Sequence, residues 1–294
     1  MKKIILKIWL SCLIGIAYPI AAQEFQTMAE LPFQNFEIAK QLIKNSYSSP
    51  QVSEADLEVG AINGMLAKLN DPYSRYLTAD QVEKFKKRQD GGTKAVTIAT
   101  VYNGVGYIRL ASFEPSSTTK EVRDAITMLM ERSIRALVID LRDNGGGQYE
   151  EAFGVLGLLV QKVDVAYTVY RNGEKMPRGV TGPALYSGPL LIMVNKKTAS
   201  SSEVVAGAIQ DLGRGRILGE KTLGKASVQR LFSFPDGAGL LLTVAHYLTP
   251  KGRSISNGGI VPDDLIYPLP NIKRDTVLEQ VIQKGIAEGY RRKY

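Results

Sequence analysis

Cysteine and histidine, which carry much of nucleophilic and metal chemistry, are nearly missing from these 294 residues: there is one of each, Cys12 and His246. Cys12 lies in an apolar N-terminal run, so a chain starting beyond that run has no thiol. That excludes disulfides, cysteine nucleophiles and thiolate metal sites. One histidine excludes paired-histidine zinc motifs and leaves His246 as the only imidazole for a Ser-His-Asp triad. It sits in LLLTVAHYLTP, a strand pattern in which a core or edge side chain is the simpler reading. Internal repeats, low-complexity tracts and dense Lys/Arg patches are also absent, and nucleic acid is therefore not expected as a partner.

The formal charge is +8. Residues 1–22, MKKIILKIWLSCLIGIAYPIAA, have a basic start, an apolar run broken by Pro19, and small residues at the end. This is the pattern of a secretory signal, too short for a membrane span of ~20 apolar residues. Cleavage removes three lysines and no acid, lowering the charge to +5. The expected location is exported, periplasmic or extracytoplasmic, with membrane association only if the segment stays uncleaved.

Residues 23–92 read as a helical N-terminal region. Phe36, Ala39, Leu42 and Ile43 repeat at helical spacing, a second helix starts near Ser53, and NDPYSRYL (70–77) interrupts the pattern. Thr78 and Gln81 make a capping box for a short basic helix. Residues 93–294 read as a mixed α/β core. Asn103-Gly104 joins two strands as a hairpin, RALVIDL (135–141) is an apolar run expected of a strand covered on both faces, and RDNGGGQ leads into a helix over Glu150–Val160. The alternation implies α/β layers around one central sheet flanked by helices.

GEKTLGKA (219–226) imitates a phosphate-binding loop but has Ala226 where Ser or Thr should hold magnesium, and a strand pattern follows it. No cofactor or metal is expected. Lysine can replace histidine as a general base if burial lowers its pKa, and Lys225 sits among Leu223, Gly224, Ala226 and Val228. TASSSEVVAGAIQD (198–211) places Ser200, Ser201 and Ser202 at the mouth of a helix, where they could be nucleophile or plain caps. The glycines of DNGGG (143–147) could expose backbone N–H groups or form a simple turn.

Taken together, these segments resemble the C-terminal processing peptidases. DPYSRYL (71–77), VGYIRLASF (105–113), LVIDLRDNGGG (137–147), TASSSEVVAGAIQD (198–211), GEKTLGKASVQ (219–229), YLTPKGRSI (247–255) and GGIVPDD (258–264) are similar, in order, to the motifs DPHSxYL, GYIRLxSF, LVLDLRNNPGG, SASASEIxAGALQD, GExTFGKGSVQ, YYTPSGRSI and GIxPDxxV. Gly145 stands for a proline, and Ala226 and Ser201 for a glycine and an alanine. The resemblance implies a crotonase-like α/β protease core with Ser200 as nucleophile, Lys225 as base and Gln229 as its partner. It implies oxyanion donors at the N–H of Ser201 and of Gly146 or Gly147. Four residues along a strand span ~13 Å, so a Lys225–Gln229 contact requires the chain to turn before the strand begins. The family's PDZ domain has no room between Thr78 and Val105.

The expected function is an exported serine endopeptidase acting on polypeptides through an acyl-enzyme, with an adaptor or partner protein standing in for the PDZ module. The alternatives are a non-catalytic peptide- or ligand-binding module on the same fold and a protease subunit active only with a partner.

Overall fold

The computed structural model describes residues 34–48, 52–90, 94–256 and 258–291. The expected signal segment, 1–22, lies outside them. The chain divides into two compact units, Met1–Ala61 and Ile62–Tyr294.

The first unit holds α1 (Gln34–Ser46) and most of α2 (Glu54–Ala67). Ser53 opens α2 by accepting the Asp56 N–H at 3.0 Å. No helix among the described residues is long and apolar enough to cross a membrane.

The second unit contains two sheets where the sequence suggested one. The larger has the order β11 (Asp264–Leu265), β8 (Arg216–Gly219), β7 (Leu190–Val194), β4 (Ala136–Asp140), β3 (Val105–Leu110), β2 (Val96–Tyr102). Its strands from β3 to β11 pair in parallel, and β2 closes one edge as the antiparallel arm of the Asn103-Gly104 hairpin. Both turn residues have positive φ, 51° and 80°, which Asn and Gly tolerate best. Every residue of β4 and β7 is buried, as parallel strands covered on both faces require. One face packs against α4 (Thr118–Glu131), α5 (Tyr149–Leu159) and α6 (Ser201–Asp211), whose buried sides include Ile126, Leu156 and Ile209. The other is covered by α7 (Thr276–Arg291) through Val277, Val281 and Ile282.

The second sheet is antiparallel and built on the long β10 (Gly239–Leu248). One edge of β10 pairs with β1 (Arg75–Leu77) and then with β5 (Val163–Tyr170), which carries β6 (Lys175–Val180); the other edge carries β9 (Ser227–Ser233). Residues 62–92, read as part of a helical region, thus contribute a strand to the larger unit. Val82 and Phe85 of α3 (Ala79–Gln89) pack with Leu77 and Leu241. The Thr78/Gln81 capping box opens α3 as expected. Residues 78–104, where the resembled family carries its PDZ domain, hold α3 and β2.

Candidate active site

Three loops follow the carboxyl ends of three adjacent parallel strands, β4, β7 and β8, and chain ends of this kind converge on one crevice. The loop after β4 carries the glycines, the loop after β7 the serines, and the loop after β8 Lys225. They border a cavity of about 580 Å³ lined by Gly145, Gly146, Gly147, Ser200, Ser201, Lys225 and Gln229.

Ser200, half-buried, is the last residue before α6 and is held at φ 55° and ψ −123°. Positive φ at a residue with a Cβ costs roughly 1–3 kcal/mol and persists only where surroundings enforce it. The enforcement is local. The Ser200 N–H donates to Glu203 Oε2 at 3.0 Å, and its carbonyl accepts from Tyr247 Oη at 2.9 Å. Its two neighbours are buried with their hydroxyls engaged, Ser201 Oγ on Gly147 O at 3.0 Å and Ser202 Oγ on Asn144 O at 3.1 Å.

The glycine loop is set by Asn144, which exposes none of its surface. Its Nδ2 donates to Leu110 O and its carbonyl accepts the Ala199 N–H, tying the glycine loop to the serine loop. Its Oδ1 accepts the Gly146 N–H at 2.9 Å. Of the two glycines offered as alternative donors, Gly146 has its N–H committed. Gly146 instead supplies closeness, since at φ 97° a Cβ there would stand 2.7 Å from Ser200 Cβ. The N–H groups of Gly147 and Ser201 have no acceptor among the described residues.

Lys225 precedes β9, which starts at Ser227, after a turn through Gly224 at φ 93°. The turn comes before the strand, and Lys225 Nζ donates to Gln229 Oε1 at 3.1 Å. Gln229 is fixed in turn by Nε2 donating to Tyr73 O at 2.5 Å. Burial pushes the Lys225 pKa below the ordinary lysine value, the Arg75 charge adds to this, and Asp71 opposes it. The Tyr73 ring, 4.7 Å from Nζ, also favours the ammonium, yet the net direction is down.

Glu203 was legible only as part of a motif, and its role emerges from the structure. Its carboxylate is fully buried and accepts four hydrogen bonds. Oε1 takes Thr222 Oγ1 and the Gly224 N–H at 2.7 Å; Oε2 takes the Ser200 N–H and the Lys225 N–H at 2.8 Å. Four acceptor sites meet four donors. Tyr247 Oη lies within 2.9 Å of the carbonyl oxygens of both Ser200 and Lys225, and burial drives its pKa well above the usual phenol value. One side chain therefore gathers the two amides and another the two carbonyls. The spacing of Glu203 three residues after Ser200, a capping-box offset, was the available signal. Alternation along β10 explains why the neighbouring His246 is exposed and does not line the cavity.

Glu203→Gln keeps the shape but puts an NH₂ group where two donors need an acceptor. We expect a net loss of about 2 kcal/mol, the unmet donors outweighing relief of a buried charge. The midpoint of urea unfolding measures it, and an unchanged midpoint would refute the clamp.

Residues 104–266 match the family model Peptidase family S41, and residues 19–81 match that of the activating protease CtpB N-terminal domain. A carboxyl-terminal-processing protease of Picosynechococcus sp. is 41% identical over 162 residues, 55% of this chain and 39% of that one. The carboxy-terminal processing protease CtpA of Bacillus subtilis is 34% identical over 173 residues, 57% of this chain and 37% of that one. The matched parts span about two fifths of those relatives. Among solved structures, the photosystem II D1 C-terminal processing protease superposes with a TM-score of 0.64 at 24% identity, covering 84% of this chain and 90% of its own. A Streptococcus agalactiae lipoprotein superposes at 0.65 with 19% identity, over 87% and 89%. These two show a shared fold. With the family model covering more than half of its length, the chain belongs to peptidase family S41.

Proposed function

We propose that this protein is an exported serine endopeptidase that cuts polypeptides through an acyl-enzyme on Ser200. The observation that carries the reading is the meeting, at one cavity, of a strained serine, a lysine of lowered pKa and two uncommitted backbone N–H groups. Neutral Lys225 takes the hydroxyl proton as Ser200 Oγ attacks the peptide carbonyl carbon. The developing oxyanion is held by the N–H groups of Gly147 and Ser201. Collapse breaks the C–N bond, and Lys225 hands its proton to the departing amine. Water, deprotonated by the same lysine, then attacks the ester carbonyl; the bond from the acyl carbon to Ser200 Oγ breaks, and Lys225 returns the proton to Oγ. Gln229 keeps the lysine aimed.

Polypeptide substrates are supported by the names of the relatives, carboxyl-terminal-processing proteases. Export rests on the basic and apolar pattern of residues 1–22. Among the described residues of 78–104 the elements are α3 and β2, and we assign substrate selection to the cleft itself or to an adaptor protein.

The test is incubation of the purified protein with an unfolded polypeptide in the presence of a metal chelator. Fragments accumulating over time support the serine mechanism. A complex without fragments would instead identify a binding module, and cleavage only after a second protein is added would identify a partner-dependent subunit.

A further inference from the structure

Lys225 is held from two sides. Glu203 and Tyr247 fix its backbone. Its amine is met by a short turn, Asp71-Pro72-Tyr73-Ser74, that leads into β1. Asp71 folds this turn by accepting twice, the Tyr73 N–H on Oδ1 at 3.0 Å and the Ser74 hydroxyl on Oδ2 at 2.5 Å. Burial raises the Asp71 pKa, but hydrogen bonding by Ser74 helps outweigh it and the net direction is down, so the acceptor is a carboxylate. The buried Ser74 hydroxyl accepts in turn the Thr243 N–H at 3.0 Å, which fastens the turn to β10. Thr243 is also the cross-strand partner of Gln229. The turn and the lysine's partner are therefore fixed at one level of the sheet.

Two groups of Tyr73 reach from this turn to the base. Its carbonyl accepts Gln229 Nε2, and its ring lies 4.7 Å from Lys225 Nζ. An amide held by Lys225 alone is free to rotate and present its NH₂ group to the amine. The Tyr73 carbonyl takes that NH₂ and leaves Oε1 as the atom that Lys225 meets. A ring face attracts an ammonium far more than a neutral amine, so its pull is greatest once Lys225 has taken the proton of Ser200 Oγ. We propose that Asp71 and Tyr73 are positioning residues of the base: the turn that Asp71 folds aims Gln229 through the Tyr73 carbonyl and offers the Tyr73 ring to the ammonium of Lys225. This role rests on the proposed reading in taking Lys225 as the base, and adds what holds its amine. Beside the turn, Lys225 meets Arg75 of β1, Glu203 of α6 and Tyr247 of β10, while Arg88, Glu114, Tyr149 and Glu150 line the same cavity. None of these changes when Tyr73 is replaced, so a shift in the amine then reports the ring.

The experiment follows Lys225 itself in the full-length chain, titrating its isotope-labelled Cε by NMR, with the signal assigned through its loss in Lys225→Gln. Tyr73→Leu and Tyr73→Met keep the carbonyl and remove the ring. The ammonium loses a partner, and the midpoint should fall by about half a pH unit. Tyr73→Phe keeps both groups and should hold the wild-type midpoint. On an unfolded substrate, Asp71→Ala should lower kcat by about tenfold or more with KM within about twofold, because the base is mis-aimed while the cleft is intact. Asp71→Asn still accepts the Tyr73 N–H and should recover most of that loss. A midpoint unmoved in both chains that lack the ring, an equal fall in Tyr73→Phe, or an Asp71→Ala defect carried by KM would overturn the role. The titration needs no turnover: a chain that cleaves nothing refutes the proposed reading, while the midpoints still decide whether Tyr73 holds the amine.

Discussion

Hydrolysis by the Ser200→Ala chain should fall by at least about 10⁴-fold relative to wild type, while peptide binding persists. The expectation depends on how three consecutive serines are held. Ser201 and Ser202 are 1% and 0% exposed, and each spends its hydroxyl on a carbonyl of the glycine loop. A hydroxyl committed in that way cannot turn toward a substrate without vacating a buried hydrogen bond, worth about 1 kcal/mol or more. Ser200 alone of the three is half-buried, and its backbone strain points it away from the ordinary helix-cap conformation. Ser202→Ala should accordingly lose about 1 kcal/mol of stability and keep most of its activity. The comparison is made with purified variants on one unfolded substrate, alongside urea titrations. Loss of activity in Ser201→Ala with activity retained in Ser200→Ala would move the nucleophile by one position.

The second large effect concerns the base. Only the neutral amine can accept the serine proton, so the rate should rise with pH and level off once Lys225 is deprotonated. Because burial and Arg75 lower the pKa, that plateau is reached below the pH an ordinary lysine would need. Lys225→Ala should reduce kcat/KM by about 10²–10⁴-fold and remove this limb of the profile. Arg75→Gln should displace the limb to higher pH, since losing a nearby positive charge makes protonated Lys225 less unfavourable. A rate profile on a single peptide, with buffers of constant ionic strength, measures both shifts. A flat profile between about pH 6 and about pH 9, with activity intact in Lys225→Ala, would remove the lysine from the mechanism.

Much of this arrangement is written locally. The buried strands β4 and β7 read as apolar runs, broken only by Asp140 at the end of β4, the hairpin as Asn103-Gly104, and the start of α3 as Thr78 with Gln81. Ser200, Lys225 and Gln229 sit in short motifs whose order survives in the chain. What escaped depends on distance. β1 is three residues long, and β6 contains Pro177 and few buried side chains, so neither has the period or composition of a conspicuous strand. That the strands divide into two sheets follows from pairings such as β1 with β10, which no local pattern encodes. The site shows the same limit. Gln229 is anchored on a carbonyl 156 residues away, and Tyr247 reaches Ser200 across 47. Asn144 and Glu203 act on main-chain atoms, and a contact with a backbone amide leaves no requirement on the side chain it serves. The capping offset of Ser200 with Glu203 is the one local spacing that signals such a role.

The clamp of Glu203 and Tyr247 grips positions 200 and 225 only by their amides and carbonyls. The chemistry of the centre is therefore modular: the socket is built independently of the groups plugged into it. A thiol at position 200, or a shorter amine at 225, would inherit the same placement without remodelling the frame. Reactivity could be exchanged one group at a time while the geometry that orients it stays in place.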